Sequence, residues 1–68
     1  MSDTIYRVTE VVGTSPESVQ QAIRNGIARV SRTVRNVEWF EATEIRGRVQ
    51  DGAVASYQVS LKVGFQLE

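Results

Sequence analysis

Trp39 and Phe40 are adjacent, and Trp39 is the only tryptophan in the chain. They lie in a run of strand-forming residues, where neighbouring side chains point to opposite faces. Each ring therefore needs a different surface to pack against. An indole lying flat on an open sheet face offers a π-surface to a planar ligand. A glutamine on the same face, such as Gln58, can address the edge of that ligand with both donor and acceptor atoms. This is the chemistry of binding. Turnover finds little support, because the chain has no histidine and no cysteine. The commonest general base and the thiol nucleophile are missing, and so are the usual zinc ligand sets. Gly13, Gly26, Gly47, Gly52 and Gly64 are scattered and form no phosphate loop. Glu38, Glu41 and Glu44 remain as acids, without a polar cluster that singles out Glu38 or Glu44. The expectation is a protein that is not an enzyme.

Eight basic residues balance eight acidic ones. A neutral chain is a poor electrostatic partner for nucleic acid or an anionic membrane. Arg24, Arg29, Arg32 and Arg35 do form a local basic run without an acid. Its plain reading is a solvated helix face or pairing between subunits; its functional reading is attraction for a phosphate-bearing ligand. No apolar stretch approaches the roughly 18 residues of a membrane span, and the first residues lack the pattern of a signal peptide. A cytoplasmic location is the default expectation. With 41% hydrophobic and 24% charged residues, the composition is that of a globular domain, read as one unit over 1–68. A domain this small buries only about 60% of its unfolded surface. With disulfides impossible and the usual zinc ligands missing, oligomerisation is the expected source of added stability.

Thr4 to Val12 is rich in β-branched residues and reads as a strand. Within "GTSPES", Ser15 is the expected helix N-cap, Pro16 the first helical residue and Glu17 an acid at the positive end of the dipole. Val19, Ala22, Ile23, Gly26, Ile27, Val30 and Val34 then form one apolar stripe, which predicts a helix ending near Thr33. Gly26 inside that stripe points to close approach of helix and sheet. A second strand is predicted over Val37–Val49, a turn at Asp51-Gly52 and a third strand from Val54 to about Leu67. The fold class is α+β: a three-stranded antiparallel sheet in the order β-α-β-β, with one helix on one face.

A two-residue turn at Asp51-Gly52 pairs Gln50 with Ala53 and sets the register of the hairpin. Phe40 then falls opposite Val63, Ala42 opposite Leu61 and Glu44 opposite Val59, all on the helix side. Trp39 falls opposite Gly64, Glu41 opposite Lys62, Thr43 opposite Ser60 and Ile45 opposite Gln58, all on the other face. In this register Phe40 fills the core. Trp39 is either a ring laid over a strand glycine, an interface filler or a stacking platform.

The run "VEWFEATEIRG", with "VGTSPES" before it and "YQVSLKVGFQLE" after it, resembles the dodecins, a family of small flavin-binding proteins. The likeness spans nearly the whole chain. It implies a hollow homo-dodecamer with flavins at two-fold interfaces, stacked between tryptophans of neighbouring subunits. The stacking role falls to Trp39, the contact with the ring edge to Gln58, and the family's arginine after the strand isoleucine matches Arg46. The implied ligand is a flavin. A phosphate-bearing form such as FMN is favoured if Arg46 faces the site, with riboflavin or FAD as alternatives and coenzyme A as a further ligand reported in some dodecins. Stacking on an electron-rich indole implies quenching of the excited flavin, hence storage and photoprotection. The rival readings are a purely structural assembly subunit and a single-strand nucleic-acid-binding sheet. One tension stands in this reading. A regular strand puts Arg46 on the face opposite Trp39, so either a bulge near Gly47 re-aims it or it serves an adjoining subunit.

Overall fold

The computed structural model describes residues 3–67, so Met1, Ser2 and Glu68 of the expected 1–68 unit lie outside it. Four elements follow in chain order: β1 (Tyr6–Ser15), α1 (Val19–Val30), β2 (Val37–Gln50) and β3 (Ala53–Gln66). The sheet is antiparallel with the order β1-β3-β2, so the last strand lies in the middle. The expected α+β class and element order are therefore observed.

The helix starts later than the sequence suggests. Its N-cap is Ser18, whose Oγ accepts the Gln21 N–H at 2.9 Å. Ser15 instead closes β1, where its buried hydroxyl accepts the Glu17 N–H. Pro16 and Glu17 lie in the bend between them, and no acid occupies the first helical turn. The sequence offers two serines, and the spacing Ser18-x-x-Gln21 is the better cap signal. β1 claims the first serine because its ladder with β3 runs on through Gly13, Thr14 and Ser15 to Tyr57. The helical ladder ends at Val30, and the chain reaches Asn36 in the left-handed region (φ 65°) before entering β2.

The core is built where α1 meets β1 and β3. Ala22, Val30, Val59, Leu61 and Val63 are buried, flanked by Val11, Val19, Ile23, Ile27, Val34 and Val37. Alternate residues of β3 supply the sheet side, as period-two alternation requires. Two glycines set the distance of approach. A Cβ on Gly26 would sit 2.9 Å from Leu61 Cδ1 and 3.3 Å from the Gly13 Cα, and one on Gly13 would run into the Ala22 carbonyl.

The helix makes at most marginal contact with β2. Every residue of that strand except Val37 is exposed. Here the expectation for Phe40 fails. Phe40 does lie opposite Val63 on the helix side, but it is 48% exposed and outside the core. The residues that fill the core come from β3 instead.

The hairpin turn is as expected, with Asp51 and Gly52 both at positive φ (54° and 78°). Gln50 pairs with Ala53. Two irregularities then intervene. Arg48 pairs with Ser56 while Val49 pairs with Val54, which leaves Ala55 as an extra residue on β3. Further on, Ala42 pairs with Leu61 while Glu44 pairs with Ser60, which leaves Thr43 as an extra residue on β2. The second irregularity cancels the first. The expected pairs Trp39–Gly64, Phe40–Val63, Glu41–Lys62 and Ala42–Leu61 therefore stand. Between the irregularities the register moves by one. Glu44 meets Ser60 rather than Val59, Ile45 meets Val59 rather than Gln58, and Arg46 meets Gln58. A one-residue shift exchanges the faces, so Glu44 joins the uncovered face and Ile45 the helix side.

The glycine contacts give a graded prediction. Gly13→Ala meets rigid backbone and should lose roughly 1–3 kcal/mol of stability. Gly26→Ala meets the end of a Leu side chain and gains helix propensity of roughly 1 kcal/mol, so it should stay close to the parent. Gly26→Leu should overpack and lose roughly 1–3 kcal/mol. Denaturation followed by circular dichroism gives the order; a Gly13→Ala variant as stable as the parent contradicts the close approach.

Candidate functional site

The sheet face turned away from α1 carries the candidate residues. From β1 it presents Tyr6, Val8, Glu10, Val12 and Thr14, and from β3 Gln66, Gly64, Lys62, Ser60 and Gln58. Trp39, Glu41, Glu44 and Arg46 come from β2. Among the described residues no helix covers this face.

Trp39 lies flat over Gly64. A Cβ at position 64 would run into Cε2, Cζ2 and Cδ2 of the indole, so only glycine permits this pose. The indole is still 38% exposed. The Tyr6 ring meets it in a T-shaped contact, with centroids 5.9 Å apart and planes at 63°. Such a T-shaped arrangement places one ring's positive edge toward the other's negative face. The Tyr6 hydroxyl donates to Glu38 Oε1 at 2.8 Å. That bond holds the phenol's proton and raises its pKa above 10.0, with smaller contributions from desolvation and the carboxylate charge. The proton is therefore in place throughout the neutral range, and the bond is lost only as pH rises through the raised phenol pKa.

Arg46 shares this face, which resolves the tension in the sequence. A bulge does re-aim it, but the extra residue is Thr43 rather than one near Gly47. The Nη2 atom of Arg46 donates to Glu44 Oε1 and to Ser60 Oγ, both at 2.8 Å. The Arg46–Glu44 pair is the one ion pair among the described residues, and it lies within the chain. Both partners are well exposed, so it adds little to stability. Its effect is to orient the guanidinium, which has five N–H donors and keeps several for another group. Glu38 and Glu44, expected to stand apart from polar groups, are thus both engaged. Sequence reasoning missed Tyr6 as a neighbour of Trp39, because the two lie on the outer strands. The signal available was the pairing of Gly64 with both Val8 and Trp39, which brings the outer strands together over a missing side chain.

Gln58 pairs with Arg46 on β2 and Thr14 on β1. It lies six positions along β3 from Gly64, which is about 20 Å of strand. Trp39 at one end and the Gln58–Arg46 pair at the other share a face but not a common small ligand within one chain. Among the described residues no group of acids is placed to hold a metal, and no helix is long and apolar enough to cross a membrane. A hollow of about 670 Å³ runs along Ser31–Val37, lined in part by Arg32 and Arg35. It is remote in kind from the Trp39 shelf, having no aromatic in its wall.

Comparison with known proteins bears on this arrangement. The dodecin family model matches residues 5–68. Dodecin from Streptomyces davaonensis is 58% identical, with a TM-score of 0.94 and 98% of each chain covered. The structure of dodecin from Streptomyces coelicolor is 59% identical, with a TM-score of 0.94, covering 100% of this chain and 97% of that one. The curated dodecin of Thermus thermophilus is 47% identical over 64 residues, 94% of this chain and 93% of the relative. Dodecins are small binding proteins rather than enzymes, and flavins are their typical ligands. By the span of the family match and the identity of its relatives, this chain belongs to the dodecin family.

Proposed function

We propose that this protein binds and stores a flavin in a hollow homo-dodecamer, with the isoalloxazine ring stacked on Trp39 at a subunit interface. The observation that carries the reading is the indole lying on Gly64 while still 38% exposed, on a sheet face that no helix among the described residues covers. A planar ligand can stack there without displacing any core residue. The distance between Trp39 and Gln58 adds the second subunit. A flavin on Trp39 of one copy reaches a glutamine only if a neighbouring copy supplies its own. Antiparallel apposition of two such faces does this, and it accommodates a pair of flavins between two indoles. The exposed helix-side residues Phe40 and Ile45 give further copies an apolar surface to bury. The bound flavin is kept from free solution, and the indole quenches its excited state.

Arg46 supports FMN over riboflavin. Its unused donors lie on the face of Trp39 and Gln58 and suit a phosphate. FAD shares that phosphate chemistry. A coenzyme A-like ligand finds its chemistry elsewhere, at Arg32 and Arg35 beside the hollow along Ser31–Val37.

Absorption in the visible range after gel filtration with FMN tests the main reading; retained flavin at a mass near twelve subunits is expected. A folded monomer that stays colourless contradicts it. Truncation separates the two adjacent rings. Trp39→Ala should weaken FMN binding by roughly 1–3 kcal/mol per stacked ring, by analogy with base–aromatic stacking, and abolish quenching without loss of secondary structure. Phe40→Ala should leave the chain's own core intact and shift the assembly toward smaller species in native mass spectrometry. If Trp39→Ala fails to assemble, the indole is an interface filler.

Charge substitutions test the ligand's form. Arg46→Ala should remove the preference for FMN over riboflavin. Glu44→Gln keeps an acceptor for the guanidinium but removes the negative charge near the phosphate, so it should raise that preference. Parallel fluorescence titrations with the two flavins give the ratio; equal ratios in all three proteins exclude Arg46 from the phosphate site.

A further inference from the structure

β1 and β2 are the outer strands of the sheet, with β3 between them. Adjacent strands lie about 4.8 Å apart, so side chains on the outer strands are separated by about 10 Å and a row of β3 residues. Tyr6 and Glu38 nevertheless share a hydrogen bond of 2.8 Å. Two local features permit it. Gly64 leaves a gap in the middle row, which the Trp39 indole enters from β2 and the Tyr6 ring borders from β1. Glu38 is itself an extra residue in β2, since Val37 pairs with Phe65 and Trp39 with Gly64. In a regular strand Glu38 and Trp39 would point to opposite faces. The bulge lets both act on the same one.

The Gly64 backbone gives the indole a floor but no wall. Rotation about the Trp39 side-chain bonds is limited by what stands against the ring. Tyr6 stands there, and as a 40% exposed side chain it has rotational freedom of its own unless tied. Glu38 ties it. We propose that Tyr6 and Glu38 are positioning residues for Trp39, their hydrogen bond across the sheet fixing the plane of the indole over Gly64 so that a planar ligand meets a preformed surface. Neither residue needs to touch the ligand. The benefit comes from ordering the ring before binding, so that this entropy is not lost on association. The consequence for flavin rests on the reading of Trp39 as its platform, whereas the fixing of the indole does not.

Because the chain has one tryptophan, its fluorescence reports on this ring alone when tyrosine is not excited. Time-resolved anisotropy and near-ultraviolet circular dichroism are measured on the ligand-free assembled protein, then FMN affinity by titration. Tyr6→Phe keeps the ring and removes the donor. Glu38→Leu removes the acceptor, and Glu38→Gln keeps an acceptor oxygen. Tyr6→Phe and Glu38→Leu should speed the local motion of the indole and weaken its near-ultraviolet signal. They should also weaken FMN binding about three- to tenfold, the fold-change of one net hydrogen bond. Glu38→Gln should resemble the parent in both readouts. Indole motion unchanged in Tyr6→Phe and Glu38→Leu overturns the proposal, as does a Glu38→Gln variant as mobile as Glu38→Leu. A parent that binds no FMN, with indole motion still responding as described, overturns the flavin reading and leaves the positioning role supported.

Discussion

One short helix is asked to cover a sheet much larger than itself. The 12 residues of α1 span about 18 Å, whereas the 14 residues of β2 and of β3 each span about 46 Å. The molecule is accordingly elongated, 56 × 20 × 14 Å. Gly13 and Gly26 draw the helix down over β1 and β3, and that choice leaves β2 beyond Val37 without a helix on either side. The buried core is therefore small, five apolar side chains among the described residues. The exposed apolar residues on both faces of β2 follow from the same shortage, and each is more apolar surface than a lone small domain of this size comfortably leaves in water.

That constraint also explains which parts of the molecule were legible in the sequence. The apolar stripe of α1, the alternation in β3 and the Asp51-Gly52 turn each reflect a local rule, and they are where local rules put them. The Trp39–Gly64 pair was legible because the turn fixes the register from its near end. The route between turn and pair was not regular, however. Ala55 and Thr43 are extra residues on opposite strands, and their effects cancel beyond Ala42. No periodicity announces two compensating bulges, so regular alternation puts Trp39 on its observed face but leaves the face of Arg46 open between a re-aiming bulge and an adjoining subunit. Phe40 shows a different limit. Its face follows from alternation, but its burial depends on how far the helix reaches, which is set by the two glycines rather than by Phe40 itself. Ser15 and Ser18 show a third. Either serine can cap, and the choice is made by a strand ladder whose length depends on Tyr57 and Gln58, far along the chain.

The uncovered face joins these threads. Gly64 serves the site through what it lacks, since its missing side chain lets the indole lie down and brings Tyr6 within reach from the opposite strand. The two bulges on β2 then do parallel work at its two ends. The one at Glu38 turns a carboxylate toward Tyr6, and the one at Thr43 turns Glu44 and Arg46 onto the same face. Charged groups that a regular strand would have placed on the face opposite Trp39 are brought onto its own.

On the proposed function, assembly and binding are one equilibrium seen from two sides. A site that needs Trp39 from one copy and Gln58 from another exists only in the assembled protein. A flavin that binds the assembly and not the separated chain stabilises it by mass action, in proportion to the logarithm of flavin concentration over the dissociation constant. At a hundredfold excess over that constant the gain is about 2.7 kcal/mol per site, a large share of a small protein's stability. By the same linkage, conditions that weaken the contacts of Phe40 and Ile45 lower flavin affinity without touching the stacking surface. A store built this way fills and empties with the supply of ligand, and its capacity is tied to the integrity of an interface that the single chain, with its short helix, is unable to cover alone.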